Sequence, residues 1–310
     1  MEEPRKPWKK QAKSEQQKGC LPLIQHLANC DIVKELYLNA KQLAIGVFDS
    51  GMGGLTVLNA LREHLPHESF VYLGDTARLP YGTKSPDTVK QYAVQMARIL
   101  VERQIKALVI ACNTATTAAL PHLQAMLPDV PVLGVVEPGA SAAVAATKKQ
   151  RILVLATETT IASQAYQGLI LKHLPGAVIS SRACSVLVAL AEEGMVSNSV
   201  AREALKHYLS GIQEEDAVLL GCTHFPVFKS LLADLLPTGV AIVDSAQATA
   251  LALYKELKTH DLLNNSINQA TINYLVTDSV QRFQKVGEIF LGAPLRQEDI
   301  ELVDAVKAQN

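Results

Sequence analysis

ALVIACNTAT, residues 107–116, sets an aliphatic run directly before Cys112, Asn113 and Thr114; AVLLGCTHFP, residues 217–226, does the same before Cys222, Thr223 and His224. A short continuous apolar run that stops at small polar residues predicts a strand buried on both faces, as the strands of parallel sheets are. Similar runs surround these two: LAIGVF (43–48), FVYLG (70–74), VLGVV (132–136), RILVLA (151–156), AVIS (177–180), VAIVD (240–244) and INYLV (272–276). Helices are predicted between them, among them 86–103, 163–174, 199–211 and 225–236. Strand and helix in alternation imply an α/β fold, a mainly parallel sheet with helices on both faces.

Sites in such sheets form beyond the carboxyl ends of the strands, so the informative residues are those just after each run. After the first come Asp49, Ser50, Gly51, Met52, Gly53 and Gly54; after the second, Asp75 and then Pro80, Tyr81 and Gly82. The Glu137-Pro138-Gly139 step, followed by a small-residue stretch, suits a crossing between domains. The two cysteine segments then belong to different halves. The expected architecture is two doubly wound α/β domains related by pseudo-twofold symmetry, with the active site between them. The first domain takes 41–138 and 243–310, the second 139–242, and residues 1–40 form an N-terminal extension.

Bulk properties narrow the function classes. Hydrophobic residues make up 48% of the 310 and charged residues 19%, and no apolar run approaches the roughly 20 residues of a membrane-spanning helix. A formal net charge of -1 argues against a protein built to hold a polyanion, so neither a membrane nor nucleic acid is expected as a partner. The five cysteines, Cys20, Cys30, Cys112, Cys184 and Cys222, lack disulfide-framework or zinc-ribbon spacings and fit a reducing cytoplasm. Residues 1–18 read as a polar tail without a signal-peptide core, and 21–38 as a short amphipathic helix.

Thiolate is the reactive form of cysteine, and a helix N-terminus is one feature that lowers a thiol's pKa. Two thiols closing on a substrate carbon from opposite faces, one as base and the other as donor, can invert a stereocentre. Backbone amides and hydroxyls in the flanking segments suit the carboxylates of an amino acid. Plainer readings stand beside this one. Each cysteine alone reads as inert core, Asp49, Ser50 and Thr114 as helix caps, Tyr81-Gly82 as a turn, and His224 as a surface residue opening a helix. Rival functions are a Cys222–His224 hydrolase, a zinc site of Cys112, Cys222, His224 and Asp49, and a hinged amino-acid binder. No Schiff-base lysine is marked, and no metal or other cofactor is expected.

GVFDSGMGGLTVL, GDTARLPYG, ACNTAT, GCTHFP and VDSA, in that order and spacing, resemble the glutamate racemases of the aspartate/glutamate racemase superfamily. The likeness runs from about Ile45 through the YLVTDSVQRF segment. It implies a cofactor-independent isomerase that interconverts L- and D-glutamate and supplies peptidoglycan biosynthesis, and through it cell-wall biogenesis and cell shape. It implies Cys112 as the base toward D-glutamate and Cys222 as the base toward L-glutamate, assisted by Asp49, His224 and Glu192. Glu193 competes with Glu192 for that last place. Substrate contacts carry over to Asp49, Ser50, Tyr81, Gly82, Asn113, Thr114, Thr223 and His224. Where the family commonly reads A-T-x-G-T, this chain reads Ala156-Thr157-Glu158-Thr159-Thr160, so a Cβ at Thr159 restricts the backbone beside the pocket and leaves Thr160 open as a contact. The extension brings in a UDP-muramyl precursor as an activator acting through the 21–38 helix, with a passive appendage as the other reading. Aspartate is the substrate alternative, and a homodimer is one available assembly.

Overall fold

A computed structural model describes residues 40–212, 214–266 and 269–305; the tail and the 21–38 helix lie outside the described residues. The unit that carries both cysteine segments begins at Leu43. It holds two sheets. Strands β1 (Ile45–Asp49), β2 (Phe70–Gly74), β3 (Ala107–Ile110) and β4 (Val132–Gly134) belong to sheet A, and β5 (Arg151–Ala156), β6 (Val178–Ala183), β7 (Ala217–Gly221) and β8 (Ala241–Asp244) to sheet B. The chain then returns to sheet A with β9 (Ile272–Val276) and β10 (Ile300–Leu302). Sheet A has the order β10-β9-β2-β1-β3-β4 and sheet B the order β6-β5-β7-β8, and every pairing is parallel.

Register brings the site residues to common edges. Asp49 at the end of β1 pairs with Gly74 of β2, and Phe48 pairs with Ile110 of β3, so Asp49, Asp75 and Cys112 emerge together. In sheet B, Ala156 pairs with Gly221, and Thr157 and Cys222 leave side by side. β1, β2, β3 and β7 are buried along their whole length, which is why they read as continuous apolar runs with no alternation.

Helices α1 (Leu55–His64), α2 (Pro86–Glu102), α3 (Asn113–Met126), α4 (Val136–Ala146), α5 (Glu158–Ala162), α6 (Ala165–His173), α7 (Ser185–Glu192) and α8 (Ser199–Tyr208) fill the connections in the first part of the unit. α9 (Lys229–Leu235), α10 (Ala246–Thr259) and α11 (Val280–Leu291) follow. Local chemistry accounts for several starts. Ser85 accepts the Thr88 amide ahead of α2, whose first residue is Pro86, and Asn198 accepts the Ala201 amide at 3.0 Å ahead of α8.

Four expectations are corrected. Glu137-Pro138-Gly139 is the first turn of α4, where proline removes no intrahelical hydrogen bond, and β4 therefore stops at Gly134. The helix expected over 163–174 begins after Gln164, whose left-handed φ of 55° separates α5 from α6. The helix expected over 225–236 opens as a tighter 3₁₀ turn, Phe225–Phe228, before α9. Sheet B extends to Asp244, beyond the junction expected at 242/243.

The return to sheet A is tied down by a buried ion pair, Lys106 Nζ to Glu68 Oε2 at 2.5 Å. Lys106 also donates to the Leu262 carbonyl and Glu68 accepts the Asn264 amide. Among the described residues no helix is long and apolar enough to cross a membrane.

Candidate active site

The buried residues at the strand ends form one continuous set of contacts. Cys112 is the N-cap of α3, with its Sγ 3.4 Å from the Ala115 amide and 3.7 Å from Ser50 Oγ. Next to Ser50, Asp49 is fully buried; its carboxylate accepts the Gly51 amide at 3.0 Å and the Thr223 hydroxyl at 3.2 Å. Thr223 follows Cys222, whose Sγ is 3.9 Å from His224 Nδ1. The other ring nitrogen, Nε2, is 2.6 Å from Glu192 Oε1. The path from Cys112 to Glu192 thus crosses from sheet A to sheet B with buried side chains throughout.

Glu192 and Glu193 have different surroundings. α7 turns Glu192 inward to His224, while Glu193 pairs with Arg282 at the surface. Cys222 and His224, two residues apart, do reach each other. The bend leading into the 3₁₀ turn folds the imidazole back toward the sulfur.

Burial dominates the electrostatics of the Cys112 thiol. Burial, with the Asp49 carboxylate adding to it, pushes the Cys112 thiol up to about 12, outweighing the amide of Ala115 at the helix start and the Ser50 hydroxyl. The helix N-terminus therefore does not make Cys112 a free thiolate in this state. Burial also raises Asp49 above the usual carboxylate range, against the pull of His224 and of the Gly54, Gly51 and Thr223 hydrogen bonds. For His224 burial alone would favour the neutral ring. Its contacts with Cys222 and Glu192 win and hold it well above the usual histidine range.

Small residues let these groups meet. A Cβ at Gly53 would lie 2.4 Å from His224 Nδ1 and 2.6 Å from Thr223 Oγ1. One at Gly54 would lie 2.5 Å from Asp49 Cβ. The glycines of the DSGMGG segment thus admit the opposite half of the site, a close-packing role beside the anion-holding one expected of them.

The predicted substrate contacts line the same region. Thr114 Oγ1 lies 2.9 Å from Thr157 Oγ1 and 3.2 Å from Thr160 Oγ1, a cluster of hydroxyls joining α3 to α5. Thr160 is thereby brought to the site. Tyr81 is buried and donates its hydroxyl to Asp75, and Gly82 packs so closely on Thr157 that a Cβ there would come within 2.6 Å. Asn113 Oδ1 accepts the Tyr166 hydroxyl at 2.6 Å, leaving its buried Nδ2 with no hydrogen-bond partner among the described residues.

Tyr166, Asp75 and Tyr72, whose hydroxyl donates to the Gly51 carbonyl at 2.9 Å, support the site without having been singled out as members of it. Asp75 was marked by its place after β2. Tyr166, inside α6, and Tyr72, inside β2, carry no signal in the sequence beyond an apolar context.

The Asp/Glu/Hydantoin racemase family model matches residues 55–253. A glutamate racemase of Geobacter metallireducens is 46% identical over 254 residues, covering 81% of this chain and 94% of the relative. The crystal structure of a Francisella tularensis glutamate racemase in complex with D-glutamate superposes with a TM-score of 0.79 at 36% identity, over 86% of this chain and 99% of that one. That of the Escherichia coli glutamate racemase in complex with L-glutamate and the activator UDP-MurNAc-Ala superposes with a TM-score of 0.70 at 29% identity, over 85% and 98%. Parallel sheets meeting at two cysteine-bearing strand ends, with this likeness over most of the chain, make it a member of the Asp/Glu/hydantoin racemase family, among the glutamate racemases.

Proposed function

We propose that racemisation of glutamate by this chain runs through Cys112 and Cys222 as an acid/base pair on opposite faces of the α-carbon. The observation that carries this reading is the unbroken path Cys112–Ser50–Asp49–Thr223, followed in sequence by Cys222 and then His224 and Glu192, which unites the two segments at one place.

In the L-to-D direction Cys222, as thiolate, takes the α-proton while Cys112, as thiol, delivers its own proton to the other face. One C–H bond breaks and one forms, leaving Cys222 as the thiol and Cys112 as the thiolate. The protonated state that burial and Asp49 impose on Cys112 suits it to be the donor in this direction. His224, held charged by its contacts with Cys222 and Glu192, puts a cation beside the sulfur that must bear negative charge. The D-to-L direction reverses each step, with Cys112 as base. No external redox partner or group donor is needed.

Substrate binding falls to the hydroxyls and amides around the thiols. Asn113 turns its carbonyl oxygen to Tyr166, so its Nδ2 is the donor left for a substrate carboxylate. Ser50, Tyr81, Gly82, Thr114 and Thr223 complete the contacts, and the Asp49 carboxylate suits the substrate ammonium. The D-glutamate produced serves peptidoglycan synthesis in the cytoplasm. A UDP-muramyl precursor is the activator we propose, on the strength of the activator bound in the Escherichia coli relative.

Incubation with L-glutamate in deuterium oxide tests the central step. D-glutamate carrying deuterium at the α-carbon is the expected product; D-glutamate that retains the original proton would break the two-thiol reading. Activation is tested separately by adding the UDP-muramyl precursor to the full chain and to a chain lacking residues 1–40. Equal rates with and without precursor in the full chain would remove the activator, and equal stimulation of both chains would remove the extension from its action.

A further inference from the structure

Thr159 occupies the place where the A-T-x-G-T pattern has glycine, and its backbone is helical, within α5, where a Cβ is accommodated without strain. The hydroxyl makes the difference. Its Oγ1 lies 2.9 Å from the Gly82 carbonyl oxygen and 2.9 Å from the Lys84 carbonyl oxygen. Gly82 and Lys84 belong to the loop that follows β2 of sheet A, whereas Thr159 follows β5 of sheet B. A single hydroxyl, with one proton to donate between two acceptors, therefore spans the two halves.

The loop it holds carries Tyr81 and Gly82. Tyr81 is fixed from the sheet A side through its hydroxyl on Asp75, and the next carbonyl is fixed from the sheet B side by Thr159. Beside the contact lies a cavity of about 400 Å³ lined in part by Thr83, Lys84, Ser85, Glu158 and Thr159. With glycine at 159 the two carbonyls would face that cavity without this donor.

We infer that Thr159 is a positioning residue, latching the Tyr81–Gly82 loop across the two halves and thereby tightening glutamate binding. The inference rests on the proposed role of Tyr81 and Gly82 as substrate contacts. The Thr159 hydroxyl is directed to the Gly82 and Lys84 carbonyls and not to a thiol, so its effect belongs in binding more than in proton transfer.

The test is steady-state kinetics with both glutamate enantiomers on the full chain and on Thr159→Val, Thr159→Gly and Thr159→Ser. Valine keeps the volume and removes the hydroxyl; serine keeps the hydroxyl. Valine and glycine are expected to raise KM about 3- to 10-fold, the range of one hydrogen bond, with kcat changed by less than about twofold, and serine to restore the parent KM. A Thr159→Val enzyme with the parent KM overturns the inference. So does a Thr159→Ser enzyme as impaired as the valine variant, because the methyl group and not the hydroxyl would then matter. A parent chain that does not racemise glutamate breaks the functional reading and takes the latch with it, whereas an active parent indifferent to all three substitutions breaks the latch alone.

Discussion

The ends of β3 and β7 are near twins in sequence and opposites in electrostatics. Each delivers a buried cysteine followed by small polar residues, yet Cys112 faces a serine and the Asp49 carboxylate, while Cys222 faces an imidazole backed by Glu192. Burial, with the carboxylate adding to it, keeps the proton on Cys112, whereas the group beside Cys222 is an imidazole held charged. The comparison teaches that pseudo-symmetric halves need not supply equivalent groups to a reaction that runs both ways, and that the asymmetry lies in the neighbours of the thiols.

Replacing either thiol should produce the largest effect. Cys112→Ser and Cys222→Ser are each expected to lower racemisation by about 10²- to 10⁴-fold, the usual worth of a positioned acid or base. Solvent-deuterium exchange should sharpen the result, with Cys112→Ser exchanging the α-proton of L-glutamate only and Cys222→Ser that of D-glutamate only. Exchange of both enantiomers by either variant would sink the division of labour.

Glu192→Gln weakens the support on the Cys222 side alone. A loss of about 10- to 100-fold in kcat/KM is expected, as for removal of a hydrogen bond to a charged group. Glu192 helps raise His224, so its removal lowers the pH at which the imidazole gives up its proton. The alkaline limb of kcat/KM for L-glutamate should therefore move to lower pH. A profile that falls in height without moving would show that Glu192 acts by another route.

Tyr166→Phe frees the Asn113 amide to turn. KM should rise about 3- to 10-fold for both enantiomers with kcat little changed. Because Asn113 is the neighbour of Cys112, an effect confined to kcat would mean that Tyr166 serves the thiol and not the substrate.

The smallest effect is read in stability. A thiol pushed up to about 12 when folded keeps its proton between about pH 9 and 12, where the unfolded chain has lost it, so this group makes the fold less stable as pH rises through that window. Urea unfolding at pH 8, 9 and 10 should show a shallower decline for Cys112→Ala than for the parent. Cys184, which burial also pushes up to about 12, is unchanged in both and cancels from the comparison. Equal slopes would show that Cys112 is not held protonated.

Much of this architecture was legible from patterns confined to neighbouring residues. The buried strands announced themselves as unbroken aliphatic runs, and the rule that sites gather at strand ends led to Asp49, Tyr81, Cys112 and Cys222 without any knowledge of contacts. The short β10 and the helices α10 and α11 were not marked. β10 has only three residues, two of them exposed, and β9 beside it supplies its partner from a distance in sequence. The strand expected over 132–136 ends two residues early, because the apolar Val135 and Val136 look in sequence like its continuation although a helix starts at Val136.

By itself the sequence determined the parallel α/β plan, the two cysteine-bearing strand ends and the family, because these depend on local hydrophobic runs and on ordered motifs. Only the tertiary structure decided that Glu192 rather than Glu193 meets His224, that Gly53 makes room for that imidazole, and that Tyr166 orients Asn113. It also decided that Thr159 bridges to the loop after β2, and that Cys112 keeps its proton despite capping a helix. Each of these is a contact or a field between groups far apart in the chain, set by burial and packing that no local pattern encodes.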